Sequence, residues 1–154
     1  MQNDPSMSGF SRGEQQQQPL SIHQQHLGAA ICYEVAYPNL TRRNASQSDF
    51  LVTVSNDAWF TGTAGPLQHL QMVQMRAKEN GRWFIRATNT GVTAFIDHQG
   101  HIVKRAPQDV ATVLRGELPA MQGQTLYTRL SDWPILGFSV FLLILGWILS
   151  LIHI

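Results

Sequence analysis

Very little of this chain is charged: Asp, Glu, Lys and Arg make up 14% of 154 residues, the formal net charge is +1, and only two lysines occur. A near-neutral chain has no basic face to lay on a phosphate backbone, so nucleic acid is not expected as a partner. Cysteine is almost absent too. A single one, Cys32, excludes an intrachain disulfide and a multi-cysteine zinc site. The six histidines (23, 26, 69, 98, 101 and 153) contain neither an HxxxH nor an HExxH pair, so they read as ordinary surface or loop residues and no metal site is expected. Residues 1–18 lack a basic segment followed by an apolar one, which excludes a signal peptide. Their Asn, Asp, Pro, Ser, Gly and four consecutive glutamines predict a flexible arm or loop.

What is present is apolar: 44% of residues are hydrophobic, enough for the core of one domain. Leu20–His23 and Leu27–Cys32 read as a hairpin, and Val35–Ala45 as a short irregular helix interrupted at Pro38. Phe50–Ser55 is β-rich and nearly continuous in apolar character, as in a strand covered on both faces. Pro66–Asn80 carries Leu67, Leu70, Val73 and Ala77 at helical spacing, with Met72 and Met75 widening the stripe, Pro in the first turn and Gly81 beyond the end. Phe84–Thr88, Val92–Asp97, His101–Arg105 and Ala111–Leu118 predict further strands. Helix and strand alternating, then an antiparallel run, indicate an α/β layered domain. Trp133–Ile152 has no charge in 20 residues, and a helix of that length spans the ~30 Å hydrocarbon core of a bilayer. Arg129 precedes this span and no Lys or Arg follows it, a weak bias toward placing its N-terminal side in the cytoplasm.

Two strand ends carry chemistry. Gly28–Ile31 is small and apolar and delivers Cys32 at the end of a strand, with Tyr33 and Glu34 after it. Open α/β sheets bind ligands at that rim, and a thiolate is the side-chain nucleophile needing least activation; a buried structural cysteine is the alternative. The second strand end runs into Asn56, Asp57, Trp59 and Phe60 and then Gly62 and Gly65, the composition of a binding loop or of a turn with an aromatic tucked into the core.

These residues in this order resemble the C-terminal part of the carbon-nitrogen hydrolase (nitrilase-like) family. The resemblance rests on Cys32-Tyr33-Glu34, Ser55 to Phe60, Arg76 to Asn80, Arg86 to Gly91 and a hairpin at Gln99-Gly100. Within that family, Phe10 to Gly13, Ala29 to Glu34, Ser55 to Phe60 and the terminal span resemble the bacterial apolipoprotein N-acyltransferases, over about residues 7–152. The resemblance implies a nitrilase-like α-β-β-α sandwich, of which residues 19–130 are the C-terminal portion, followed by one transmembrane helix at 133–152. It implies an inner-membrane enzyme with its catalytic part in the periplasm and no cofactor. Such an enzyme passes an acyl chain from a phospholipid donor, through a Cys thioester, to a diacylglyceryl apolipoprotein acceptor. By the same resemblance Cys32 is the catalytic nucleophile and Tyr33 and Glu34 support it, with the backbone N–H after the cysteine helping to bind the oxyanion. Asn56, Asp57, Trp59 and Phe60 are taken as the substrate-binding loop.

The sequence departs from the family pattern in one respect. The family's catalytic glutamate and lysine lie upstream of the matching segment, and residues 1–6 contain neither. Lys78 and Glu79, adjacent on a helix and therefore pointing apart, do not replace them. The expectation is a C-terminal piece of a longer protein, inactive alone. A soluble nitrilase-type amidohydrolase and a non-catalytic membrane-anchored remnant are the competing readings.

Overall fold

The computed structural model describes residues 17–60 and 62–152; the arm expected over 1–18 lies, apart from Gln17 and Gln18, outside them. One mixed sheet runs in chain order through β1 (Leu20–Ile22), β2 (Gln25–Ile31), β3 (Phe50–Ser55), β4 (Phe84–Thr88), β5 (Ala94–Ile96) and β6 (Ile102–Arg105). β2, β3 and β4 are parallel, with Ala30 beside Thr53 and Thr53 beside Arg86; the other pairings are antiparallel. Each parallel step needs a crossover. The first is a 3-10 turn, Cys32–Ala36, followed by α1 (Pro38–Ser46), and the second is α2 (Gly65–Asn80). Pro38 therefore opens a regular helix instead of interrupting one, because a first-turn residue needs no intrahelical N–H bond.

Strand alternation sorts the side chains. Ala30, Leu51, Phe84, Ala94 and Ile96 face α1 and α2 and form the core with Ala45, Leu70, Val73 and Ala77. The opposite face carries Ile31 and Val54, both largely exposed, and the half-buried Val52 and Ile85. The sheet with helices on one side is thus one α-β half of the expected four-layer sandwich.

Two expectations are corrected. Leu67 and Met75 are exposed, and the buried face of α2 is instead His69, Leu70, Val73, Arg76, Ala77 and Asn80. Ala111–Leu118 forms no strand. It does not extend the sheet beyond β6 but crosses beside the Phe95 ring, where a Cβ on Gly116 would collide, and the Lys104 ammonium donates to the Arg115 carbonyl.

Beyond it, α3 (Leu126–Leu130) is clasped to the helical layer. Thr125 caps α3 and donates to the Glu79 carbonyl at 2.6 Å, Thr128 donates to Asn80 Oδ1 at 3.1 Å, and Arg42 donates to the Thr128 carbonyl at 2.9 Å. Ser131 reaches Asn39 Oδ1 at 3.3 Å. α4 (Trp133–Ile152) follows α3 after two intervening residues, Ser131 and Asp132, with a mean hydropathy of 2.3 over Trp133–Leu151 and none of that stretch buried.

Candidate active site

The three parallel strands end side by side, delivering Cys32 after β2, Asn56 after β3 and Asn89 after β4 to one rim. They line an open cleft of about 570 Å3 whose apolar wall is Ile31, Val54, Trp59 and Ala87.

Cys32 sits at the start of the 3-10 turn with φ +53°. That left-handed conformation costs a residue with a Cβ roughly 1–2 kcal/mol, so neighbouring bonds must hold it. Glu34 supplies one, its carboxylate accepting from the Ile31 N–H at 2.7 Å. Tyr33 stands half-exposed with its ring centroid 6.1 Å from that of His69 and 6.1 Å from that of Tyr37. Both expected supporting residues thus belong to the turn that presents the thiol.

The loop residues divide. Trp59 is 86% exposed, which excludes the core alternative. Phe60 folds back so that its ring occupies the space beside Gly65 at the start of α2. Asn56 lines the cleft and its Oδ1 accepts from Asn89 Nδ2 at 2.7 Å and from the Ala58 N–H at 3.1 Å. Asp57, expected to meet substrate, is instead fully buried. Its Oδ2 accepts from Arg86 Nη2 at 2.6 Å and its Oδ1 from Ser55 at 2.6 Å, and His69 Nδ1 lies 3.1 Å from Oδ1. Burial pushes the Asp57 carboxyl up; the hydrogen bonds from Ser55 and His69 and the Arg86 cation outweigh it, leaving the carboxyl below its ordinary value. Gly91 allows this packing, since a Cβ there would land on Asp57 Oδ2.

His69, Arg86 and Asn89 are the site residues that sequence reading missed. His69 is 3% exposed, not a surface histidine, and its Nε2 lies 3.2 Å from the Cys32 carbonyl. Ser55 Oγ is 3.5 Å from Cys32 Sγ. A signal was present: His69, Val73, Arg76, Ala77 and Asn80 share one helical stripe, and an arginine at the centre of an otherwise apolar strand requires a buried partner. Lys78 and Glu79 lie at the other end of α2, Glu79 paired with Arg76 at 3.0 Å, away from Cys32. Among the described residues no cluster of three or more His, Cys, Asp or Glu side chains is placed to hold a metal ion.

Comparison with known proteins bears on the family and the fold. The chain is 52% identical to an apolipoprotein N-acyltransferase of Azotobacter vinelandii over 95% of its own length. It is 49% identical to one of Pasteurella multocida over 90%. It spans only 28% and 27% of those two relatives. Among solved structures, the NitFhit protein of C. elegans superposes with a TM-score of 0.56 at 25% identity, covering 66% of this chain and 27% of that one. A carbon-nitrogen hydrolase from Helicobacter pylori G27 gives 0.56 at 16% identity, over 64% of this chain and 42% of its own, and shares the fold. The family model for carbon-nitrogen hydrolases matches residues 6–126, most of the chain. With a lone thiol at the rim of a nitrilase-like sheet, the chain belongs to the carbon-nitrogen hydrolase family.

Proposed function

We propose that this chain is the C-terminal part of an apolipoprotein N-acyltransferase, with residues 19–130 completing a hydrolase-type domain and α4 crossing the inner membrane. The observation that carries the reading is the position of Cys32, a strained strand-end thiol at the mouth of a cleft walled by Ile31, Val54, Trp59 and Ala87. An apolar wall beside a nucleophile suits an acyl chain, and the apolar α4 supports a lipid donor over the small soluble amides of an amidohydrolase.

The chemistry is a two-step transfer. The Cys32 thiolate attacks the ester carbonyl of a phospholipid; the S–C bond forms, the C–O bond breaks, and the lysophospholipid leaves with a proton. The α-amino group of a diacylglyceryl-modified N-terminal cysteine then attacks the thioester. An amide forms, the C–S bond breaks, and the thiol is regenerated. The acid-base pair comes from the upstream part of the protein, so the 154 residues alone are inactive. The catalytic part lies on the periplasmic side.

In the full-length protein incubated with phospholipid, intact-mass and peptide mapping should find the acyl group on Cys32, and Cys32→Ser should form no acyl-enzyme and no product. An acyl group on another residue, or full activity in the serine variant, overturns the reading.

A further inference from the structure

Cys32 is held at two points by one buried carboxylate. Asp57, fixed by Arg86 at 2.6 Å, accepts from Ser55 Oγ at 2.6 Å, and that hydroxyl lies 3.5 Å from the Cys32 sulfur. His69 Nδ1 lies 3.1 Å from Asp57 Oδ1 and 3.4 Å from Arg86 Nη2, and the far nitrogen of that ring is 3.2 Å from the Cys32 carbonyl. A carbonyl oxygen only accepts, so Nε2 must carry the proton at that contact. Asp57 thereby reaches the thiol through Ser55 and the backbone through His69. The second connection is the informative one: it grips the carbonyl of the residue whose φ is +53°, the peptide that has to stay turned for the thiol to face the cleft.

We propose that His69 is a positioning residue for the nucleophile, holding the left-handed turn at Cys32 through its Nε2–H. This rests on the reading of Cys32 as the nucleophile. His69 is 3% exposed, has the Tyr33 ring beside it, and is not among the residues lining the cleft. Its action is through the peptide of Cys32.

The two amide side chains separate this role from mere packing. Glutamine places an N–H three bonds from Cβ, as imidazole Nε2 does, and keeps a donor for the Cys32 carbonyl. Asparagine places one two bonds from Cβ, as Nδ1 is, and reaches Asp57 but not the Cys32 carbonyl. The 154-residue chain in detergent micelles has one thiol, so iodoacetamide consumption reports Cys32 alone. With melting temperatures recorded alongside, His69→Gln should alkylate within about twofold of wild type and His69→Asn at least fivefold more slowly. Any other order of the three rates overturns the proposal. Should either variant fail to fold, 15N-histidine spectra of the unmutated chain decide: a protonated Nε2 on the buried ring supports the role and an unprotonated one refutes it. None of these readouts requires acyl transfer. Failure of the transfer assay with the expected alkylation order would count against the acyltransferase reading alone.

Discussion

Replacing Asp57 with asparagine tests the buried centre of the site most directly. Arg86 and Asp57 are both fully buried, with Nη2 and Oδ2 2.6 Å apart. The amide keeps the volume but removes the charge, and its NH2 cannot accept from the guanidinium if its oxygen stays on Ser55 and His69. An uncompensated buried cation costs about 3–5 kcal/mol. At roughly 2–4 °C per kcal/mol for a chain of this size, the melting temperature should fall by roughly 6–20 °C. Circular dichroism in detergent measures it, and the paired variant Asp57→Asn/Arg86→Met should recover part of the loss by removing the stranded charge. Acid adds a second reading. The folded carboxyl lies below the ordinary 3.8, so through that range the unfolded chain binds more protons than the native one. The stabilisation is complete above the unfolded value and lost as pH falls through the folded one. Asp57→Asn should therefore flatten the acid side of the stability profile while lowering stability at neutral pH. A melting shift under about 3 °C, the scale of an exposed pair, together with an unchanged acid slope would refute the reasoning.

Trp59→Ala should leave melting within about 1 kcal/mol, because the ring is 86% exposed, while reducing acyl-transfer turnover in the full-length protein; a loss of ~3–5 kcal/mol would mean the ring is core. Gly91→Ala drives a methyl onto Asp57 Oδ2 and should cost about 1–3 kcal/mol in chemical denaturation. Leu143→Arg at the middle of α4 should cost about 2.5–3.5 kcal/mol of insertion free energy in a translocon assay, and carbonate extraction that released the unmutated chain would contradict a membrane span.

The elements that sequence made legible are those set by local period. β3 and β4 match their expected bounds, α2 begins one residue early at Gly65, and α4 occupies Trp133–Ile152 as read. Cys32 lies one residue beyond its strand, since composition marks where a strand stops but not the φ that turns the chain there. The interior of the site was hidden for a different reason. Asp57 pairs with His69 12 residues on and with Arg86 29 residues on, and such partners are chosen by sheet order and helix packing, which no window of sequence contains. A polar loop residue therefore looked like a substrate contact when it is an internal counter-ion. Ala111–Leu118 failed similarly: β-forming residues describe an extended chain, and only a free sheet edge makes it a strand.

The clasp of α3 onto α1 and α2 bears on how the cleft meets its substrates. Thr125, Thr128 and Ser131 are bonded to Glu79, Asn80 and Asn39, and α4 begins two residues after the last of them. With α4 in a bilayer, so short a connection leaves no slack for the domain to bob or swivel as a float on a string. Its stand-off from the lipid headgroups becomes a fixed dimension, and under the acyltransferase function proposed above a lipid has to rise to the thiol, because the thiol cannot descend to the lipid.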